Sequence, residues 1–216
     1  MNIRAKIIAG FGASLLLVLA ITVIGISRIK RINMNLTEIN DVNTVKQRDA
    51  INFRGSVHDR SIRIRDFVLL TDARERAETL ADIRALEDFY TKAENAINEI
   101  FAANINNTPK EVELLGEIKK SKAETMPLIE QIIAFENEGK ADAAENLLLT
   151  KARPAFQLWL DRINAFIDYK ELQNQKLTDA TRSIAKLFQT LMIIVCTLTV
   201  ALACIIPLWV LKSVML

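Results

Sequence analysis

Apolar residues follow two different patterns along this chain. Near the ends they form unbroken runs: 21 uncharged residues lie between Lys6 and Arg28, and 25 lie between Lys186 and Lys212. A helix of about 20 apolar residues crosses a bilayer, so residues 7–27 and 187–211 are expected to be transmembrane helices. The first run exceeds the apolar core of a signal peptide, about 7–15 residues, and is read as a retained anchor. Between the runs, apolar residues recur at alternating spacings of three and four. Phe53, Val57, Ile64 and Phe67 form one such stripe, with Arg60 set inside it. Leu80, Ile83, Leu86, Tyr90, Ala93, Ile97 and Phe101 form a second, and Leu148, Ala152, Ala155, Trp159, Ile163 and Phe166 another. This spacing places apolar side chains on one face of a helix.

Turn formers break the pattern three times, at "TDAR" (71–74), "NINNTP" (104–109) and "NEGK" (137–140). Thr108 before Pro109, with Glu111 and Glu113 following, is a helix start. Gly139 is a helix stop. Four helices follow, near 28–70, 73–103, 109–136 and 140–186. Their short connections make neighbours antiparallel. The expected fold is therefore all-α: an up-down-up-down four-helix bundle over residues 28–186, flanked by two transmembrane helices. Two spans put both termini on one side, and Arg4, Lys6 and Lys212 favour the cytoplasm for residues 1–6 and 212–216. Residues 28–186 then lie across the membrane. Ala9, Gly10, Ala13 and Ser14 are small enough to let span pack against span; they also fit generic span composition.

Charge narrows the function. All 26 acidic residues, but only 25 of the 28 Lys and Arg, lie in residues 28–186. That near-neutral balance argues against nucleic-acid binding. Both cysteines, Cys196 and Cys204, lie in the second apolar run, so the outer domain holds no disulfide, which suits a bacterial periplasm. With one histidine, no glycine-rich phosphate loop, no cysteine-based metal pattern and no nucleophile beside an evident base, an enzyme is not expected, nor a cofactor or a metal.

The candidate chemistry sits in "SVHDRSIRIRDF", residues 56–67, with Arg54 just before it. One reading is a solvated face with local ion pairs, as Arg63 and Asp66 would make. The other is a carboxylate site, since the planar guanidinium grips a carboxylate with two hydrogen bonds. Arg60 and Arg65 are five apart, about 140° around a helix, so one ligand reaches both only between helices or between subunits. His58 either adds a donor or packs neutral at an interface. Tyr90 packs in the core and carries a phenolic donor. Thr150 and Arg153 stand beside Pro154, which frees a backbone carbonyl from helical bonding.

The layout of "MNIRAKIIAGF" leading into a span, then bundle, second span and abrupt end, resembles the sensory half of a methyl-accepting chemotaxis protein. The stretches "SVHDRSIRIRDF" and "ADAAENLLLTKARPAFQLWLDRINAFIDYKE" carry the resemblance further; the layout alone is shared with histidine kinases. The resemblance implies a homodimeric receptor in the bacterial inner membrane that senses a periplasmic solute. It also implies a cytoplasmic part beyond residue 216, with a HAMP module and methylated helices, through which a signalling kinase and adaptor are reached. In the amino-acid receptors of that family, first-helix arginines with five-then-four spacing hold the ligand across two subunits. Arg60 and Arg65 match the first interval. Leu69 stands where the third arginine would, and Ala155 replaces the polar residue after the helix-four proline. Relatives with similar bundles sense tricarboxylic-acid-cycle acids, so the resemblance implies a di- or tricarboxylate organic acid, which suits the cations here, in place of an amino acid. The expected site is Arg54, His58, Arg60, Arg65, Tyr90, Thr150 and Arg153. The competing readings are the sensor half of a histidine kinase or diguanylate cyclase, and a membrane protein that binds a partner without a small ligand.

Overall fold

A computed structural model describes residues 3–103 and 106–214. Its elements are α1 (Ile3–Thr37), a wide π turn (Glu38–Asn43), α2 (Thr44–Leu69), α3 (Ala73–Ala102), α4 (Pro109–Asn137), α5 (Ala141–Leu147), a second π turn (Leu148–Ala152) and α6 (Arg153–Val214). Contacts divide the chain into a bundle, residues 40–174, and a unit made of the two helical ends.

Within the bundle, α2, α3, α4 and the α5–α6 segment pack around one core. Facing contacts run in opposite senses along each adjacent pair. On α2 and α3, Phe53 meets Tyr90, Arg63 meets Asp82 and Phe67 meets Arg76. On α3 and α4, Arg76 meets Glu136, Arg84 meets Glu130 and Glu94 meets Lys122. On α4 and α6, Glu117 meets Arg162 and Glu111 meets Lys170. The helices are therefore antiparallel in turn, and the bundle is all-α.

The ends of these helices follow the turn signals. Asp72 caps α3 by accepting from the backbone of Arg74 and Glu75, each at 2.9 Å. Thr108 and Glu111 form a reciprocal capping box at the start of α4, behind Pro109. Gly139 stops α4 at φ +71°, a conformation that costs a residue with Cβ about 1–2 kcal/mol. The core is the set of stripes read from sequence: Phe53, Val57, Ile64, Ile83, Tyr90, Ile97, Trp159, Ile163 and Phe166 are all buried.

The π turns are departures from that reading, which expects plain helix through both segments. The second has a visible cause. Pro154 has no N–H to donate backwards, and the Arg153 N–H reaches five residues back to the Leu148 carbonyl. The first contains neither Pro nor Gly, and nothing in its sequence explains it.

In the other unit, Gly10 lies against Ile206: a Cβ there would sit 3.1 Å from the isoleucine side chain. Gly25 lies against Phe188 in the same way, at 3.3 Å. Asn35 donates to the Thr181 hydroxyl at 2.9 Å. Two helices, one through each apolar run, are long and apolar enough to cross a membrane.

Candidate functional site

The structure separates the expected site residues. Arg65 and Arg153 come together, from α2 and from the start of α6. With Ser61, Leu148, Leu149, Phe156, Gln157 and Leu160 they line a groove of about 440 Å³. This lies within the range of small-molecule pockets, about 300–1,000 Å³. Arg65 reaches Asp66 at 3.6 Å, with its own side chain 59 % exposed. Such an exposed pair is worth about 0–1 kcal/mol and yields readily to a better acceptor. Arg153 is exposed, with no carboxylate within 4 Å among the described residues. The π turn matters here, because it sets where Leu148 and Leu149 stand relative to Arg153. π turns of this kind recur at functional sites.

Arg60 goes elsewhere. Its helix face is the core stripe, and the guanidinium is buried between the Tyr90 and Trp159 rings, at 5.8 and 5.7 Å. Its NH1 points to the Met126 sulfur at 3.0 Å. Its NH2 donates to the Ser56 hydroxyl at 3.2 Å and to the Leu86 carbonyl at 3.3 Å. Burial pushes the Arg60 guanidinium down from its ordinary value, and the Glu87 charge opposes this. Tyr90 stacks on Phe53 at 4.6 Å and meets Trp159 edge-on at 5.2 Å. Burial, helped by the Glu94 charge, pushes the Tyr90 phenol up, so it remains a protonated donor. Arg60 and Arg65 therefore do not meet within one bundle.

The remaining candidates are outside both places. Arg54 and His58 are exposed, and the His58 carbonyl accepts from the Ser61 hydroxyl at 2.6 Å. The Thr150 hydroxyl is turned back to the Asn146 carbonyl at 2.7 Å. Arg63 behaves as the ion-paired reading expects, reaching Asp66 at 3.8 Å and Asp82 at 3.3 Å.

A second buried polar group escaped the sequence reading. Lys46 and Lys170 both bind Glu111, and all three side chains are fully buried. Lys46 also donates to Asn107 at 2.8 Å, and Lys170 to Asn43 and to Gln173. Burial pushes the Glu111 carboxyl up. The Lys170 hydrogen bond, the Thr108 N–H and the two lysine charges together outweigh it and hold the group below its ordinary value. The signal was available: Lys46 extends the Ala50–Phe53–Val57 stripe backwards by four, and Lys170 extends Ile163–Phe166 forwards by four.

A family model described as a four helix bundle sensory module for signal transduction matches residues 1–185. The chain belongs to this family. It is thus a sensory module of the kind typical of chemoreceptors, a class of domain that is usually non-catalytic. A search of curated proteins gave no match. In this sensory module the groove at Arg65 and Arg153 lies between α2 and the α5–α6 segment, where two helices of the bundle can each contribute a cation to one ligand.

Proposed function

We propose that this sensory module is the receptor half of a bacterial chemoreceptor, and that it binds a small di- or tricarboxylate in the groove between α2 and α6. The observation that carries the reading is the pair of arginines, Arg65 from α2 and Arg153 from α6, lining one groove. Two guanidiniums suit two carboxylates, or one gripped from both sides. Ser61 and Gln157 add neutral hydrogen-bonding groups, and Phe156 and Leu160 an apolar floor. The anchors are the two apolar helices, in the bacterial inner membrane, with the bundle in the periplasm. A second copy of the chain completes the receptor. A ligand bridging Arg65 and Arg153 acts on the first residues of α6, which runs as one helix from Arg153 to Val214. Shifts of about 1–2 Å along such a helix are ordinary switching motions, and this one would reach a cytoplasmic kinase and adaptor.

The test is a thermal-shift screen of the full chain in detergent with malate, succinate, fumarate, citrate and the amino acids. A true ligand at a hundredfold excess over its dissociation constant stabilises by about 2.7 kcal/mol. The shift should appear with an organic acid and vanish in both Arg65→Ala and Arg153→Ala, with the unliganded melting point kept. A shift that survives both substitutions removes the groove from consideration.

A further inference from the structure

The core around Arg60 holds an arrangement that the groove does not explain. Three buried polar atoms there have no hydrogen-bond partner among the described residues: Arg60 Nε, Tyr90 OH and Trp159 Nε1. The indole N–H comes close enough to the phenol oxygen to oppose the rise in its titration, but lies outside hydrogen-bond geometry. Each residue is at most 1 % exposed. Each of the three atoms carries a hydrogen to donate, and Arg Nε and Trp Nε1 can do nothing else. Buried polar groups are almost always paired, and an unpaired one costs about 1–3 kcal/mol. Three on mutually adjacent side chains therefore call for a common acceptor.

Charge calls for the same thing. A buried guanidinium normally has an anionic partner, yet Arg60 has no carboxylate within 4 Å among the described residues. Glu87, the acid that acts on it most, is held by Arg84 at 3.2 Å. Glu130 takes the same Arg84 through two hydrogen bonds, at 2.6 and 2.9 Å. Glu94 is committed to Lys122 at 2.5 Å. Tyr90, protonated, supplies no charge. The partners that Arg60 does have are a thioether, a hydroxyl and a carbonyl. They fill hydrogen-bond positions and leave the charge standing. A water molecule would accept hydrogen bonds but would also leave the charge.

We infer that the bundle core holds a small inorganic anion of halide size, chloride under physiological conditions, bound by Arg60, Tyr90 and Trp159. The site is separate from the groove and does not rest on the reading of it. Phe156 lies between the two: it lines the groove and stacks on Trp159 at 6.4 Å. A carboxylate of a larger solute would have to displace that ring to arrive.

The test uses the full chain in detergent at constant ionic strength, with chloride exchanged against the bulky isethionate. The melting temperature should rise with chloride for the wild type and stay flat in Arg60→Met. Met keeps the length without the charge, and it removes the cost of burying a guanidinium that has no carboxylate partner, so this variant is expected to fold. It should be the more stable protein without chloride and lose that lead as chloride is added. Tyr90→Phe, which removes one donor and keeps the ring, should weaken the chloride effect severalfold. In a Trp209→Phe background Trp159 is the sole tryptophan, and bromide should quench it along a saturating curve. Quenching that stays linear, or chloride shifts equal in wild type and Arg60→Met, would overturn the site. Saturation by acetate without any effect of halide would overturn the inorganic anion in favour of a carboxylate group.

Discussion

Glu111 ties α4 to both α2 and α6 at one end of the bundle. Its carboxylate is shared by the ammonium groups of Lys46 and Lys170, and it also accepts the Thr108 N–H at 2.9 Å. Removing one partner of a buried charge cluster costs about 3–5 kcal/mol, because the remaining ions stay buried without it. Glu111→Gln should therefore destabilise the bundle by that amount in urea unfolding. The pH dependence follows from its lowered titration. In the unfolded chain the carboxyl titrates near 4.5. The stabilisation from Glu111 is then fully present above that pH, and is lost as pH falls through the lower folded value. The wild type should lose stability below about pH 4.5 more steeply than Glu111→Gln. Equal acid slopes would show that the cluster is not ionised as described.

Residue by residue, much of this was legible. The core stripe containing Arg60 was visible as spacing, and so was the burial it implies. The convergence of Arg65 with Arg153 was not, because the two are far apart in sequence and no local rule joins them. The partners of Glu111 were hidden differently. Lys46 and Lys170 stand in register with apolar stripes, but a lysine at the end of a stripe usually reaches water with its long stem. Only the meeting of three helices shows that these two do not.

At the level of elements, two glycines, one within α4 and one just past its end, should respond with opposite sign. Gly139 sits at φ +71°, whereas Gly116 is inside the helix with open space where a Cβ would go. Gly139→Ala should cost about 1–2 kcal/mol. Gly116→Ala should gain about 0.4–1 kcal/mol, through helix propensity and a less disordered unfolded chain. Paired thermal melts of the two variants check both. The helix count and turn positions were readable because each turn carries its own chemistry, Asp72, Thr108–Pro109 and Gly139. The π turns were not. Pro154 marks a disturbance without specifying its form, and Glu38–Asn43 carries no mark at all.

For the molecule as a whole, the family, the helical class and the apolar runs were all expressed in patterns that repeat, and repetition survives without coordinates. The ligand was not expressed that way, since it depends on which faces meet. The contact of Gly10 with Ile206 belongs to this scale too. A Cβ at 3.1 Å forces the isoleucine to move, so Gly10→Val should loosen the pairing of the two terminal helices. Disulfide crosslinking between cysteines placed at Gly25 and Phe188, in a background lacking Cys196 and Cys204, should then slow. Unchanged crosslinking would show that the contact at Gly10 does not govern the pair.

The two π turns have a consequence for how the chain tolerates changes in length. Deleting one residue from an ordinary helix turns everything beyond it by about 100° and swings a core stripe into solvent. A π turn already holds one surplus residue, and losing it restores the regular winding with the phase kept on both sides. Single-residue deletions scanned along the bundle should therefore be lethal to folding almost throughout α2, α3, α4 and the bundle part of α6. Glu38–Asn43 should stand out as a short window where the chain can be shortened by one and still fold, and Leu148–Ala152 should join it only when Pro154 is also replaced by Ala, since the proline ring blocks regular winding there.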